Sequence, residues 1–135
     1  MECQSILIVE DEADIRETLK ELLVLEGYQV FTASNGQEGL ALLRSIPRPC
    51  VILLDVLMPV MDGNEFLAAK KDEDLIATIP VAIVTGIAEK PPLVGGAVAC
   101  IKKPIEFEYL LKFIRKYCKA PNEQDPGKEQ KASYG

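Results

Sequence analysis

Val51-Ile52-Leu53-Leu54-Asp55-Val56-Leu57-Met58-Pro59-Val60-Met61-Asp62-Gly63 sets an apolar run against a single carboxylate and then a loop. An uninterrupted apolar run of this length reads as a central parallel strand, buried on both faces. Its final residue, Asp55, falls where the carboxyl ends of such strands line a ligand crevice. The same design recurs on either side. Ser5-Ile6-Leu7-Ile8-Val9 stops at Glu10-Asp11-Glu12. Pro80-Val81-Ala82-Ile83-Val84 stops at Thr85-Gly86, and Ala97 to Ile101 stops at Lys102-Lys103-Pro104. A further strand is expected over Tyr28 to Ala33.

The stretches between the strands have helical spacing. Ile15, Leu19, Leu22 and Leu23 form one apolar face, and Gly27 ends it. Ser34-Asn35-Gly36-Gln37 resembles a capping box that opens a helix to about Arg44. A short helix is expected from Asn64 to about Lys71. The last runs from about Glu106 to Cys118, with Leu110, Phe113, Ile114 and Tyr117 facing inward. Strand and helix thus alternate five times, which predicts an α/β fold with a parallel sheet covered on both faces. Ala120 to Gly135 is polar and rich in Pro, Gly, Lys and Glu, so a flexible C-terminal tail is expected.

Composition narrows the function. The 135 residues suffice for one domain, and the formal net charge is −6. The isoelectric point is near 4.7 and the mean hydropathy is +0.10. An acidic surface argues against direct nucleic-acid binding. No apolar run reaches the length of a membrane span, and the start lacks a signal-peptide layout. A cytoplasmic location is expected. Cys3, Cys50, Cys100 and Cys118 form no C-x-x-C pair, so they are expected to be free thiols. The chain has no histidine, which removes Ser-His and Cys-His catalysis and His-ligated metals.

Five polar groups at strand ends define a candidate site: Glu10, Asp11, Asp55, Thr85 and Lys103. Three clustered carboxylates repel one another, and a hard divalent cation relieves the repulsion. Mg²⁺ suits this, because it takes oxygen ligands and favours carboxylates plus a substrate phosphate. Lys103 can pair with a carboxylate or with a phosphoryl oxygen, and Thr85 supplies a neutral donor. This set suits phosphoryl transfer, with Asp55 as the candidate nucleophile and an aspartyl phosphate as the product.

Together these motifs closely resemble the response-regulator receiver domain of two-component signalling. The residues that carry the resemblance are Ile8-Val9-Glu10-Asp11-Glu12, Leu53 to Gly63, Val84-Thr85-Gly86 and Lys103-Pro104, and it covers about Ser5 to Lys119. It implies a CheY-like, flavodoxin-type fold with strand order 2-1-3-4-5. Asp55 is then the phosphoacceptor, and the donor is a histidine kinase or a histidine phosphotransfer protein. Glu10, Asp11, Asp55 and the backbone carbonyl of Leu57 would hold Mg²⁺. Thr85 and Lys103 would contact the phosphoryl oxygens, and the Lys103-Pro104 peptide is expected to be cis.

Some positions depart from the family. The residue three before the lysine, often an aromatic switch, is Cys100. The interval from Thr85 to Lys103 is short and contains Pro91-Pro92 and Gly95-Gly96, so the helix between the fourth and fifth strands is expected to be short or irregular. That interval builds the usual pairing surface, which favours a monomer or weak dimer. Outside the site set, plainer readings prevail. Glu12 and Asp14 read as the acidic first turn of a helix, Lys102 as solvent-facing, and Cys100 as a small buried apolar residue. Met58 and Met61 read as packing residues, and Asp62 and Gly63 as turn residues.

The leading expectation is therefore a phosphoacceptor switch that signals by binding a partner. No enzymatic turnover is expected beyond self-phosphorylation from small donors and slow dephosphorylation. Phosphatases that form an aspartyl phosphate commonly place a second Asp where this chain has Leu57. The alternative is an adaptor of the same fold that acts without phosphorylation.

Overall fold

In the computed structural model, residues 5–55, 63–74, 76–85 and 97–118 are described. The strands are β1 (Ser5–Val9), β2 (Gln29–Ala33), β3 (Val51–Asp55), β4 (Val81–Thr85) and β5 (Ala97–Lys102). The helices are α1 (Ala13–Leu25), α2 (Gly36–Leu43), α3 (Gly63–Lys71) and α4 (Phe107–Ile114). All strand pairs are parallel, in the order β2-β1-β3-β4-β5. This is the expected CheY-like fold. The expectation of a short or irregular helix between β4 and β5 falls on 86–96, outside the described residues, as do Met58, Met61, Asp62 and the tail from 119.

Successive residues of a strand point to opposite faces, so each apolar run builds two cores. Ile6, Ile8, Val51 and Leu53 pack with Leu19 and Leu23 of α1 and with Leu110 and Ile114 of α4. Leu7, Val9, Ile52 and Leu54 pack with Leu40 and Leu43 of α2 and with Phe66 and Leu67 of α3. β1 and β3 are buried along their whole length, as a continuous apolar run requires.

Gly27, at φ 100°, ends α1 in a backbone conformation that L side chains avoid. Lys70 is fully buried, and its Nζ donates to the Ala77 carbonyl at 2.7 Å, tying α3 to the segment before β4. Gly39 lets α2 approach the sheet. A Cβ there would lie 3.0 Å from Val9 Cγ2 and 3.2 Å from Phe66 Cε1. Gly39→Val is therefore expected to lower stability by about 1–3 kcal/mol in urea unfolding, because a branched side chain overpacks this contact.

Several boundaries differ from the expectation. β2 begins at Gln29, and Tyr28 instead lies in the core. The cap of α2 is shifted by one residue. Asn35, not Ser34, accepts from the Glu38 N–H at 2.8 Å, and Glu38 in turn accepts from the Ser34 N–H and hydroxyl. The final helix stops at Ile114 and continues as a turn, which leaves Tyr117 exposed rather than inward. Cys100 is exposed, not buried, because β5 is an edge strand. Cys50 and Cys118, far apart in sequence, are brought side by side, with Cα atoms 5.7 Å apart.

Candidate functional site

The parallel order places the carboxyl ends of β1, β3, β4 and β5 along one edge of the sheet. Glu10 follows β1 directly, and its N–H continues the ladder to the Ala33 carbonyl at 3.0 Å. Asp55 is the last residue of β3, the immediate neighbour of β1. Lys103 follows β5 and precedes the cis Lys103-Pro104 peptide. These placements bring carboxylate oxygens of Glu10, Asp11 and Asp55 within 4.8 Å of one another. Glu10 is 3% exposed and Asp55 is 6% exposed, so two of the three carboxylates are nearly out of water.

Among the described residues, the Lys103 ammonium faces them. Lys103 Nζ lies 3.3 Å from Glu10 Oε1, 3.6 Å from Asp55 Oδ2 and 3.7 Å from Glu12 Oε1. Burial alone would lower its pKa, but Glu10, then Asp55 and Glu12, outweigh burial and raise it. The Lys103 charge does not balance the acids. Burial, then the Glu10 charge, pushes Asp55 up to about 7, against the pull of Lys103. A buried carboxyl so short of positive charge is what a hard divalent cation would ionise. The oxygen-only donor set of Glu10, Asp11 and Asp55 fits Mg²⁺.

The remaining expected residues are only partly placed. Thr85 is the last residue of β4 and pairs in register with Lys102, while its neighbour Val84 pairs with Asp55. Its backbone thus stands beside the site, and its side chain is outside the described set. Leu57 lies outside the described residues. Glu12 does more than the plain reading allowed: besides reaching Lys103, its N–H donates to Glu10 Oε2 at 3.1 Å. Lys102 is solvent-exposed, as expected.

Arg16 was not singled out in the sequence. Its guanidinium donates to the Glu10 carbonyl at 2.9 Å and to the Asp11 carbonyl at 3.5 Å. It thereby holds the loop that carries two of the acids. A signal was present: a basic residue in the first turns of a helix opposes the helix dipole and needs another reason to be there. Beside Lys103 runs an apolar groove of about 330 Å³ between α1 and the segment after β5, lined by Ile15, Leu19, Leu22, Ile105 and Phe107.

Residues 6–115 match the family model described as "Response regulator receiver domain". The sporulation initiation phosphotransferase F of Bacillus subtilis is 36% identical over 118 residues, which cover 84% of this chain and 93% of that protein. The response regulator TrrA of Thermotoga maritima, solved in complex with Mg²⁺-BeF, is 29% identical with a TM-score of 0.74, covering 84% of this chain and 98% of that one. The probable transcriptional regulator ycf27 of Porphyra purpurea is 38% identical over 86 residues, covering 64% of this chain. The chain spans only about a third of that regulator's length, 34%.

Proposed function

This chain belongs to the response-regulator receiver family, and from that premise we propose that it is a switch whose phosphoacceptor is Asp55. The observation that carries this reading is the setting of Asp55. It is nearly buried at the end of β3, its pKa is raised to about 7, and Glu10, Asp11 and Lys103 surround it.

The donor is a phosphohistidine on a histidine kinase or a phosphotransfer protein, since this chain has no histidine of its own. An Asp55 carboxylate oxygen forms the new P–O bond while the donor's P–N bond breaks, and the electron pair returns to the imidazole nitrogen. Lys103 swings its charge from the carboxylates to a phosphoryl oxygen. Thr85 donates its hydroxyl to another. Glu10, Asp11, Asp55 and the Leu57 carbonyl would hold Mg²⁺, which when bound would supply positive charge to the transferring oxygens. The apolar groove beside Lys103 offers the donor a surface next to the acceptor. The product adds negative charge to the end of β3 and changes partner affinity through whatever it repositions. Turnover of other substrates is not part of this reading, because Leu57 carries no proton to transfer.

Intact mass after incubation with acetyl phosphate tests the assignment. One added phosphoryl group is expected with Mg²⁺ and none with EDTA. Addition that persists in Asp55→Ala sinks the choice of nucleophile. No addition from either acetyl phosphate or a phosphohistidine protein favours the adaptor reading instead.

A further inference from the structure

The phosphoacceptor reading leaves the cysteine pair at the other end of the sheet unused. Cys50 directly precedes β3, whose last residue is Asp55, so the whole strand separates the pair from the acidic site. Cys118 ends the turn that follows α4. The Cα separation of 5.7 Å is within the range a disulfide accepts without backbone movement. Both residues belong to the core, at 9% and 3% exposure. The turn places Cys118 firmly: its N–H donates to the Ile114 carbonyl at 2.8 Å, and the Tyr28 hydroxyl donates to its carbonyl at 3.4 Å. Cys100, exposed on β5, takes no part.

We propose that Cys50 and Cys118 form a reversible disulfide, a site of oxidative modification that fastens the end of α4 to the start of β3. The oxidant class is a small-molecule disulfide such as oxidised glutathione. Cys118 lies in the turn after α4, outside the sheet, whereas Cys50 adjoins a central strand, so Cys118 is assigned the first attack. Its thiolate attacks one sulfur of the small disulfide, that S–S bond breaks, and one small thiol leaves carrying the Cys118 proton. The Cys50 thiolate then attacks the Cys118 sulfur of the mixed disulfide. The protein S–S bond forms, and the second small thiol leaves with the Cys50 proton. Two protein thiols are oxidised and one small disulfide is reduced to two thiols.

The link closes a loop with a sequence separation of 68, which restricts the unfolded chain. Locally it fixes the exposed turn residues Arg115 and Lys116, which lie between α4 and the tied Cys118. A pair of thiols that merely fills core space does neither.

The test equilibrates the purified full chain with mixtures of oxidised and reduced glutathione, blocks free thiols and maps linked peptides. The wild type is compared with Cys100→Ser and Cys118→Ser. A Cys50–Cys118 peptide is expected at oxidising ratios in the wild type and in Cys100→Ser, and dithiothreitol should reverse it. The linked form is expected to melt about 10 °C above the reduced form. Native trypsin should cut more slowly after Arg115 and Lys116 in the linked form. Thiols that stay free under oxidising ratios overturn the proposal. So does linkage mainly through Cys3 or Cys100, or a linked form with the melting point and cleavage rate of the reduced one.

Discussion

Asp55→Asn is expected to stabilise the metal-free protein by about 2 kcal/mol at pH 8, and to have almost no effect on stability at pH 4. The folded protein keeps the Asp55 proton until about pH 7, whereas the unfolded chain releases it near about 3.9. Between those values the folded state binds more protons, so stability falls as pH rises. The penalty is absent at the acid end of that window and complete above it. Holding the carboxyl at about 7 rather than 3.8 costs at most about 4 kcal/mol. The amide recovers only part of this, because Lys103 loses one of its carboxylate partners. Urea unfolding of both proteins in EDTA at the two pH values decides it. A variant less stable than the wild type at pH 8 contradicts the charge imbalance. Adding Mg²⁺ should then reverse the order, since a ligand that binds only the folded state stabilises the protein whose site is intact.

That imbalance was legible in the sequence because strands buried on both faces are written as uninterrupted apolar runs. Against such runs, Glu10, Asp55 and Lys103 stand out at the ends, and parallel pairing carries those ends to one edge. What stayed hidden depends on distances that spacing does not encode. Cys50 and Cys118 looked isolated because their separation spans β3, α3, β4, β5 and α4, and only the return of α4 across the sheet brings them together. Cys100 resembled a core residue until β5 took the edge position. The α2 cap was read one residue early, as the box Ser34 to Gln37, whereas Asn35 accepts from the Glu38 N–H. Arg16 was missed for a different reason: its place near the start of α1 was a signal, but its partners are backbone carbonyls, which residue type does not name.

Lys103→Met is expected to slow labelling by acetyl phosphate at neutral pH by about 100-fold. Methionine keeps much of the apolar stem and removes the ammonium. Lys103 is the charge that pulls the Asp55 pKa down, against burial and Glu10. Without it the Asp55 carboxyl rises further, and less of the acceptor is ionised at a given pH. The acid limb of the labelling rate should therefore move to higher pH, measured at fixed, subsaturating Mg²⁺. A second loss follows from geometry, since the donor to a phosphoryl oxygen is gone at every pH. Lys103→Arg separates the two effects. Its guanidinium keeps the charge but not the compact ammonium, so the acid limb should return close to that of the wild type while the plateau rate stays depressed. If Lys103→Met labels within a few-fold of wild type with an unmoved acid limb, Lys103 neither tunes Asp55 nor meets the phosphoryl group. Its contacts with Glu10 and Glu12 would then serve only to hold the end of β5 against the loop after β1.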